Sequence, residues 1–161
     1  MTISTGDRIP DVELLKAEGG GTPVRTSEVL GQGRVVLFAV PGAFTPTCSD
    51  AHLPGFVLRA ADLKGKGVDT VACVAMNDAF VLAAWGDAQG VGEDVVMLSD
   101  GTGSFTRAMG MEIEIGAAHG LGTRSKRYAA VIEDGVVTWL GVEASPGDHE
   151  ASSADSVLAA L

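Results

Sequence analysis

Apolar positions in this chain gather into short blocks, and glycine, proline and acidic residues separate them. Val35-Val36-Leu37-Phe38-Ala39-Val40 is an unbroken apolar run ended by Pro41-Gly42, the pattern of a strand covered on both faces. Thr70 to Met76 repeats it, and Asn77 or Asp78 then caps a helix through Phe80, Leu82, Ala83, Ala84 and Trp85. A further short strand over Val95 to Leu98 precedes the turn Ser99-Asp100-Gly101, and Phe105 to Met109 predicts a short helix. Arg127 to Glu133 and Val136 to Leu140 flank Asp134-Gly135, a pair suited to a type I′ turn, so this stretch predicts an antiparallel hairpin. Ser152 or Ser153 caps a last helix ending near Leu161. Near the start, Gly19-Gly20-Gly21 with Thr22-Pro23 reads as a tight loop between two extended segments. Strand–helix units followed by a hairpin and a helix predict an α/β fold, a mixed central sheet with helices on both faces. No repeat or linker interrupts the pattern, so residues 1–161 are expected to form one domain.

Composition narrows the function classes. Of 161 residues, 46% are hydrophobic and 20% charged, enough to build a sizeable core. The longest apolar run, Ala79 to Trp85, is far short of the roughly 18 to 20 residues that cross a bilayer, so no membrane partner is expected. Lysine plus arginine number 11 against 21 aspartate plus glutamate, a net charge of −10. Nucleic acid is a poor partner for such a chain, whose one basic cluster is Arg124-Ser125-Lys126-Arg127. The first residues lack the basic start and apolar stretch of a secretory signal. Two cysteines, Cys48 and Cys73, without a Cys-x-x-Cys motif or metal-ligand neighbours, suit a reducing compartment, and a cytoplasmic location is expected, with an organellar mature form as the alternative.

The chemistry concentrates in Pro41-Gly42-Ala43-Phe44-Thr45-Pro46-Thr47-Cys48, which leaves the first buried strand and enters a helix. Thr45 is an N-cap with Pro46 at the first helical position, and Thr47 is a competing cap. Either placement puts Cys48 in the first helical turn, where free backbone N–H groups and the positive end of the helix dipole favour a thiolate. Pro54 removes a helical hydrogen bond and predicts a kink in that helix. Local placement alone leaves two readings of Cys48 open: a reactive thiol, or a small buried hydrophobe.

The segment PGAFTPTC, continuing SDAHLPGF to Phe56, resembles the active-site signature of the peroxiredoxins, specifically the type II or peroxiredoxin-five group. Its core, a proline, three residues, a threonine, two residues and a cysteine, is matched by Pro41, Thr45 and Cys48. The likeness extends through GDRIPDVEL from Gly6, VAMNDAFVLAAWG from Val74, SDGTGSFTRAMGME from Ser99 and RSKRYAAVIEDGVV from Arg124. It implies a thioredoxin-like fold and a thiol peroxidase that needs no metal or organic cofactor. Cys48 would attack a peroxide oxygen and become a sulfenic acid. Thr45, backbone amides and a distant arginine would hold the oxygens, with Pro41, Gly42, Phe44 and Thr47 lining the substrate site. Arg127 and Arg124 are nearly indistinguishable as isolated charges; the resemblance selects Arg127, because Tyr128 follows it.

The resemblance leaves some roles open. Cys73, in mid-strand, is either a buried inert thiol or a resolving cysteine, as in some plant-like members. Other members carry a resolving cysteine near the C-terminus, where this chain has Ser145, Ser152 and Ser153, so an external reductant is expected: glutathione with glutaredoxin, or thioredoxin. His52, four residues after Cys48, is either a support for the site or a structural hydrogen-bonding histidine; His119 and His149 have no assigned role. The resemblance further implies a noncovalent homodimer. Two other classes share a reactive cysteine: a redox sensor that passes oxidation to a partner, and a cysteine hydrolase, which needs a histidine base beside Cys48.

Overall fold

The structure, a computed structural model, describes residues 2–161. Its strands are β1 (Glu13–Lys16), β2 (Thr22–Arg25), β3 (Arg34–Ala39), β4 (Thr70–Ala75), β5 (Val96–Ser99), β6 (Glu112–Gly116), β7 (Gly122–Ser125), β8 (Tyr128–Glu133) and β9 (Val136–Val142). Its helices are α1 (Thr26–Val29), α2 (Leu53–Leu58), α3 (Ala60–Gly65), α4 (Ala79–Ala88), α5 (Ser104–Met109) and α6 (Ala154–Ala160).

The two uninterrupted apolar blocks lie side by side in the middle of the main sheet, as their lack of a polar face requires. The strand order is β2-β1-β5-β4-β3-β8-β9. β3, β4 and β5 run parallel, whereas β1 pairs antiparallel with β5 on one side, and on the other β8 pairs antiparallel with β3 and β9 antiparallel with β8, giving a mixed sheet.

Alternation along the strands feeds two cores. Val36, Phe38, Val71, Cys73, Ala129 and Val131 face α2, α3, α4 and α6 through Leu53, Phe56, Leu63, Leu82, Trp85 and Val157. Val35, Leu37, Val74, Tyr128, Ala130 and Ile132 face the opposite layer, which includes Phe105 and Met109 of α5. Helices therefore cover both faces, and the arrangement is thioredoxin-like.

The predicted turns and caps have clear physical forms. Asp134 and Gly135 both have positive φ, 49° and 86°, as a type I′ turn demands. Of the two cap residues proposed for α4, Asp78 accepts the Val81 N–H at 2.9 Å. Ser153, not Ser152, caps α6 by accepting the Ser156 N–H. The strand expected over Val95 to Leu98 lies one residue later.

The helix after Cys48 departs from expectation. Pro46 and Thr47 are α-helical, Cys48–His52 forms a π-helical turn in which the Leu53 N–H reaches the Cys48 carbonyl, and α2 follows. Pro54 has no N–H to offer the ladder, and the chain takes up the mismatch in the wide turn before it. The hairpin of β6 and β7 forms a second, two-stranded sheet that the hydrophobic pattern does not announce.

Candidate active site

The site lies at the C-terminal ends of the parallel strands β3 and β4, the edge of an α/β sheet where ligands usually bind. Val40 still bonds the Val74 carbonyl at 3.2 Å, and Pro41, without an N–H, ends the ladder. Ala43 N–H then bonds Asn77 Oδ1 at 2.8 Å, tying the loop to the β4–α4 turn. Pro41, Gly42 and Ala43 are buried, whereas Phe44 turns outward with φ of 62° and is 57% exposed. A Cβ on Gly42 would lie 3.2 Å from both Arg124 Nη1 and Thr45 Cγ2, which makes glycine the natural fit there.

Thr45 precedes the helix, and its carbonyl takes the Ser49 N–H at 2.9 Å. Its hydroxyl does not cap the helix and makes no bond to the cysteine; it donates to the Gly42 carbonyl at 2.7 Å. The competing cap, Thr47, is already helical, and its hydroxyl donates to the Gly147 carbonyl at 3.4 Å. Cys48 is thereby the third helical residue, in the first turn.

Cys48 is fully buried, and its sulfur accepts a hydrogen bond from Arg127 Nη2 at 3.1 Å. Strand register explains how a residue so distant in sequence arrives there. Tyr128 of β8 pairs with Ala39 at the end of β3, so Arg127 emerges beside the loop that carries Cys48. Arg127 Nε donates to the Pro146 carbonyl at 3.0 Å, and Nη1 to His52 Nδ1 at 2.9 Å. Arg124, the rival, is half-buried and bonds the Leu121 and Pro41 carbonyls instead of the sulfur.

His52 is buried against Phe38 and Phe56, with ring centroids 5.0 and 5.6 Å away. Its Nε2 lies 3.0 Å from the Ser152 carbonyl, which can only accept, while the guanidinium at Nδ1 can only donate. The ring is therefore neutral with its proton on Nε2. Burial, and then the Arg127 charge, hold its pKa well below the usual histidine value. With both nitrogens engaged, His52 has no free lone pair to act as a base toward Cys48, which removes the arrangement a cysteine hydrolase needs.

Cys73 is also a free, buried thiol. Burial, reinforced by Cys48, pushes its pKa well above the ordinary thiol value and outweighs Arg127. Among the helices of the described residues, none is long and apolar enough to span a membrane.

The chain matches the Redoxin family model over residues 4–158. It is 48% identical over 165 residues to "Peroxiredoxin-2E-2, chloroplastic" of Oryza sativa subsp. japonica, covering 99% of this chain and 73% of that protein. The chain is a type II peroxiredoxin. Reduced Prx3 of Vibrio vulnificus in complex with H2O2 superposes on this peroxiredoxin with a TM-score of 0.92 and 48% identity, covering 99% of this chain and 96% of that one. Peroxiredoxin 5 of Alvinella pompejana does so with a TM-score of 0.80 and 34% identity, over 88% and 90% of the two chains. The peroxiredoxin is accordingly a thiol peroxidase.

Three residues at the site escaped the sequence reading. Asn77 carries only a helix-cap signal in the sequence, and Ser49, which accepts the Trp85 indole N–H at 3.0 Å, has no motif around it. Glu143, a buried carboxylate, lies just beyond the predicted hairpin, where nothing local marks it. Its partners are three backbone amides and one hydroxyl from a loop without periodicity.

Proposed function

We propose that this peroxiredoxin reduces hydrogen peroxide and alkyl hydroperoxides at Cys48, and that an external thiol completes the cycle. The observation that carries this reading is the Arg127 Nη2–Cys48 Sγ hydrogen bond at 3.1 Å. A fixed guanidinium at that distance stabilises an anionic sulfur and the charge that develops on a departing oxygen. Cys48 sulfur attacks one oxygen of RO–OH, the O–O bond breaks, and RO⁻ leaves to take a proton from solvent. The sulfur is oxidised by two electrons to a sulfenic acid while the peroxide is reduced to alcohol or water. Arg127 retains N–H groups on Nη1 and Nη2 for the peroxide oxygens. Thr45, whose hydroxyl donates to the Gly42 carbonyl, would present its oxygen to the peroxide, and Pro41, Gly42, Phe44 and Thr47 would line the substrate site.

A thiol then attacks the sulfenic sulfur and expels water, and a second thiol releases the mixed disulfide. Glutathione with glutaredoxin, or thioredoxin, supplies these thiols. Cys73 does not resolve: a buried thiol held protonated is a poor nucleophile. His52 positions Arg127 and does not touch substrate. The whole chain acts as one catalytic domain in a reducing, cytoplasmic setting. Exposed Phe44, on the cysteine loop, and the 74% exposed Phe80, at the start of α4 just after the Asn77 turn that the Ala43–Asn77 bond ties to that loop, favour a noncovalent homodimer built around the site.

Peroxide consumption with each reductant tests the cycle. Cys48→Ser is expected to abolish turnover and Cys73→Ser to retain it. Loss in both variants would refute the external-thiol cycle, and a wild type oxidised once without turnover would favour a redox sensor.

A further inference from the structure

The loop from Glu143 to Ser153, between β9 and α6, supplies every backbone oxygen that holds the far side of the site. Pro146 O takes Arg127 Nε, Gly147 O takes the Thr47 hydroxyl, and Ser152 O takes His52 Nε2. His149 on the same loop lies against His52, ring centroids 5.1 Å apart. Such a loop has no regular ladder of its own, so something must fix it.

Glu143 does. One carboxylate oxygen accepts the Glu150 N–H at 2.9 Å, the Ser152 N–H at 2.6 Å and the Ser152 hydroxyl at 2.5 Å, and the other accepts the Ala151 N–H at 3.2 Å. The glutamate is 8% exposed. Burial pushes its pKa up, but the bonds from Ser152, Glu150 and Ala151 outweigh burial and hold it below the usual value, so it stays charged. Its own N–H bonds the Arg127 carbonyl at 3.0 Å. One residue thus grips the backbone of Arg127 and the loop that holds the guanidinium.

We infer that Glu143 is a positioning residue for the peroxidase reaction, a clasp that closes the 143–153 loop and so holds Arg127 against Cys48. This rests on the reading of Cys48 and Arg127 given above. A glutamine at 143 would offer one accepting oxygen and a donating NH2 to a row of donors, so the clasp would open without loss of bulk.

The test reads the sulfur without peroxide, so that it stands apart from the question of turnover. The rate of iodoacetamide alkylation at Cys48, followed by mass spectrometry of the Cys48 peptide, is measured against pH. The proteins are wild type, Glu143→Gln, Arg127→Gln and the double variant, with a melting curve for each. Glu143→Gln is expected to slow alkylation about tenfold at neutral pH and to move the rising limb of the pH profile upward. In the Arg127→Gln background it should add little, because its effect travels through that arginine. Ser152→Ala, which keeps the three amide bonds, should lose no more than about threefold, and it serves if Glu143→Gln fails to fold. An unchanged pH profile in Glu143→Gln, the same slowing with and without Arg127, or a larger loss in Ser152→Ala than in Glu143→Gln would overturn the proposal. Failure of peroxide turnover in a wild type that shows these alkylation effects would instead count against the peroxidase cycle.

Discussion

His52 stays uncharged because of where it is buried, and this neutrality has a measurable cost. An unfolded imidazole titrates near 6.5, and the folded one well below it. Between those values the unfolded chain takes up a proton that the folded chain refuses, so stability falls as pH drops below about 6.5, by up to about 1.4 kcal/mol per pH unit for one such group. Glutamine at this position can still accept from Arg127 and donate to Ser152, without titrating. The melting temperature of wild type should therefore fall more steeply between pH 7 and pH 5 than that of His52→Gln; parallel curves would contradict the account. His149, also shifted down by burial and Arg127, titrates in both proteins. At this same scale, the choice between Arg127 and Arg124 was beyond local sequence. Both belong to one short basic cluster; the family resemblance selects Arg127, and the pairing of Tyr128 with Ala39 is what brings it to the cysteine loop while Arg124 stays within β7.

Elements whose residues carry their own periodicity or turn chemistry were legible, and elements made by tertiary contact were not. Six apolar residues in a row, or Asp-Gly between two apolar segments, leave few alternatives. β7 is Gly-Thr-Arg-Ser, with no hydrophobic stripe, and it exists because β6 pairs with it. The π-helical turn left one trace in the sequence, Pro54, which announced a disturbance without its form. Short α5, a helix that the sequence predicts over Phe105 to Met109, is also held by a contact from outside the helix. Asp100 is buried and accepts the Phe105 N–H at 3.1 Å, the Thr106 N–H at 2.8 Å and the Thr106 hydroxyl at 2.7 Å. Asp100→Ala strands these donors, and urea unfolding should show a loss of about 2 to 4 kcal/mol. A loss below about 0.5 kcal/mol would mean that α5 is held by the packing of Phe105 and Met109 alone.

Across the whole molecule, a chain of net charge −10 brings its one basic cluster to the edge of the sheet where Cys48 lies. Arg127 meets the sulfur, and Arg124 braces the Pro41 carbonyl that begins the cysteine loop. Parallel β3 and β4 set the cysteine loop and the Asn77 turn side by side, while antiparallel β8 delivers the arginine from the opposite direction. Fold class and cysteine were readable from the chain because they rest on block pattern and a contiguous motif. The clasped loop behind Arg127 was not, because its bonds join residues by backbone groups that no side-chain pattern encodes. The most direct test of the central claim is a single turnover. Reduced protein is mixed with one equivalent of hydrogen peroxide and no reductant, and the oxidised sulfur is trapped with dimedone and located by mass spectrometry. The account predicts a sulfenic acid on Cys48 with Cys73 still a thiol, and oxidation slowed about ten- to hundredfold in Arg127→Gln, the worth of one charged hydrogen bond. Oxidation at Cys73, a Cys48–Cys73 disulfide, or an Arg127→Gln rate equal to that of wild type would contradict it.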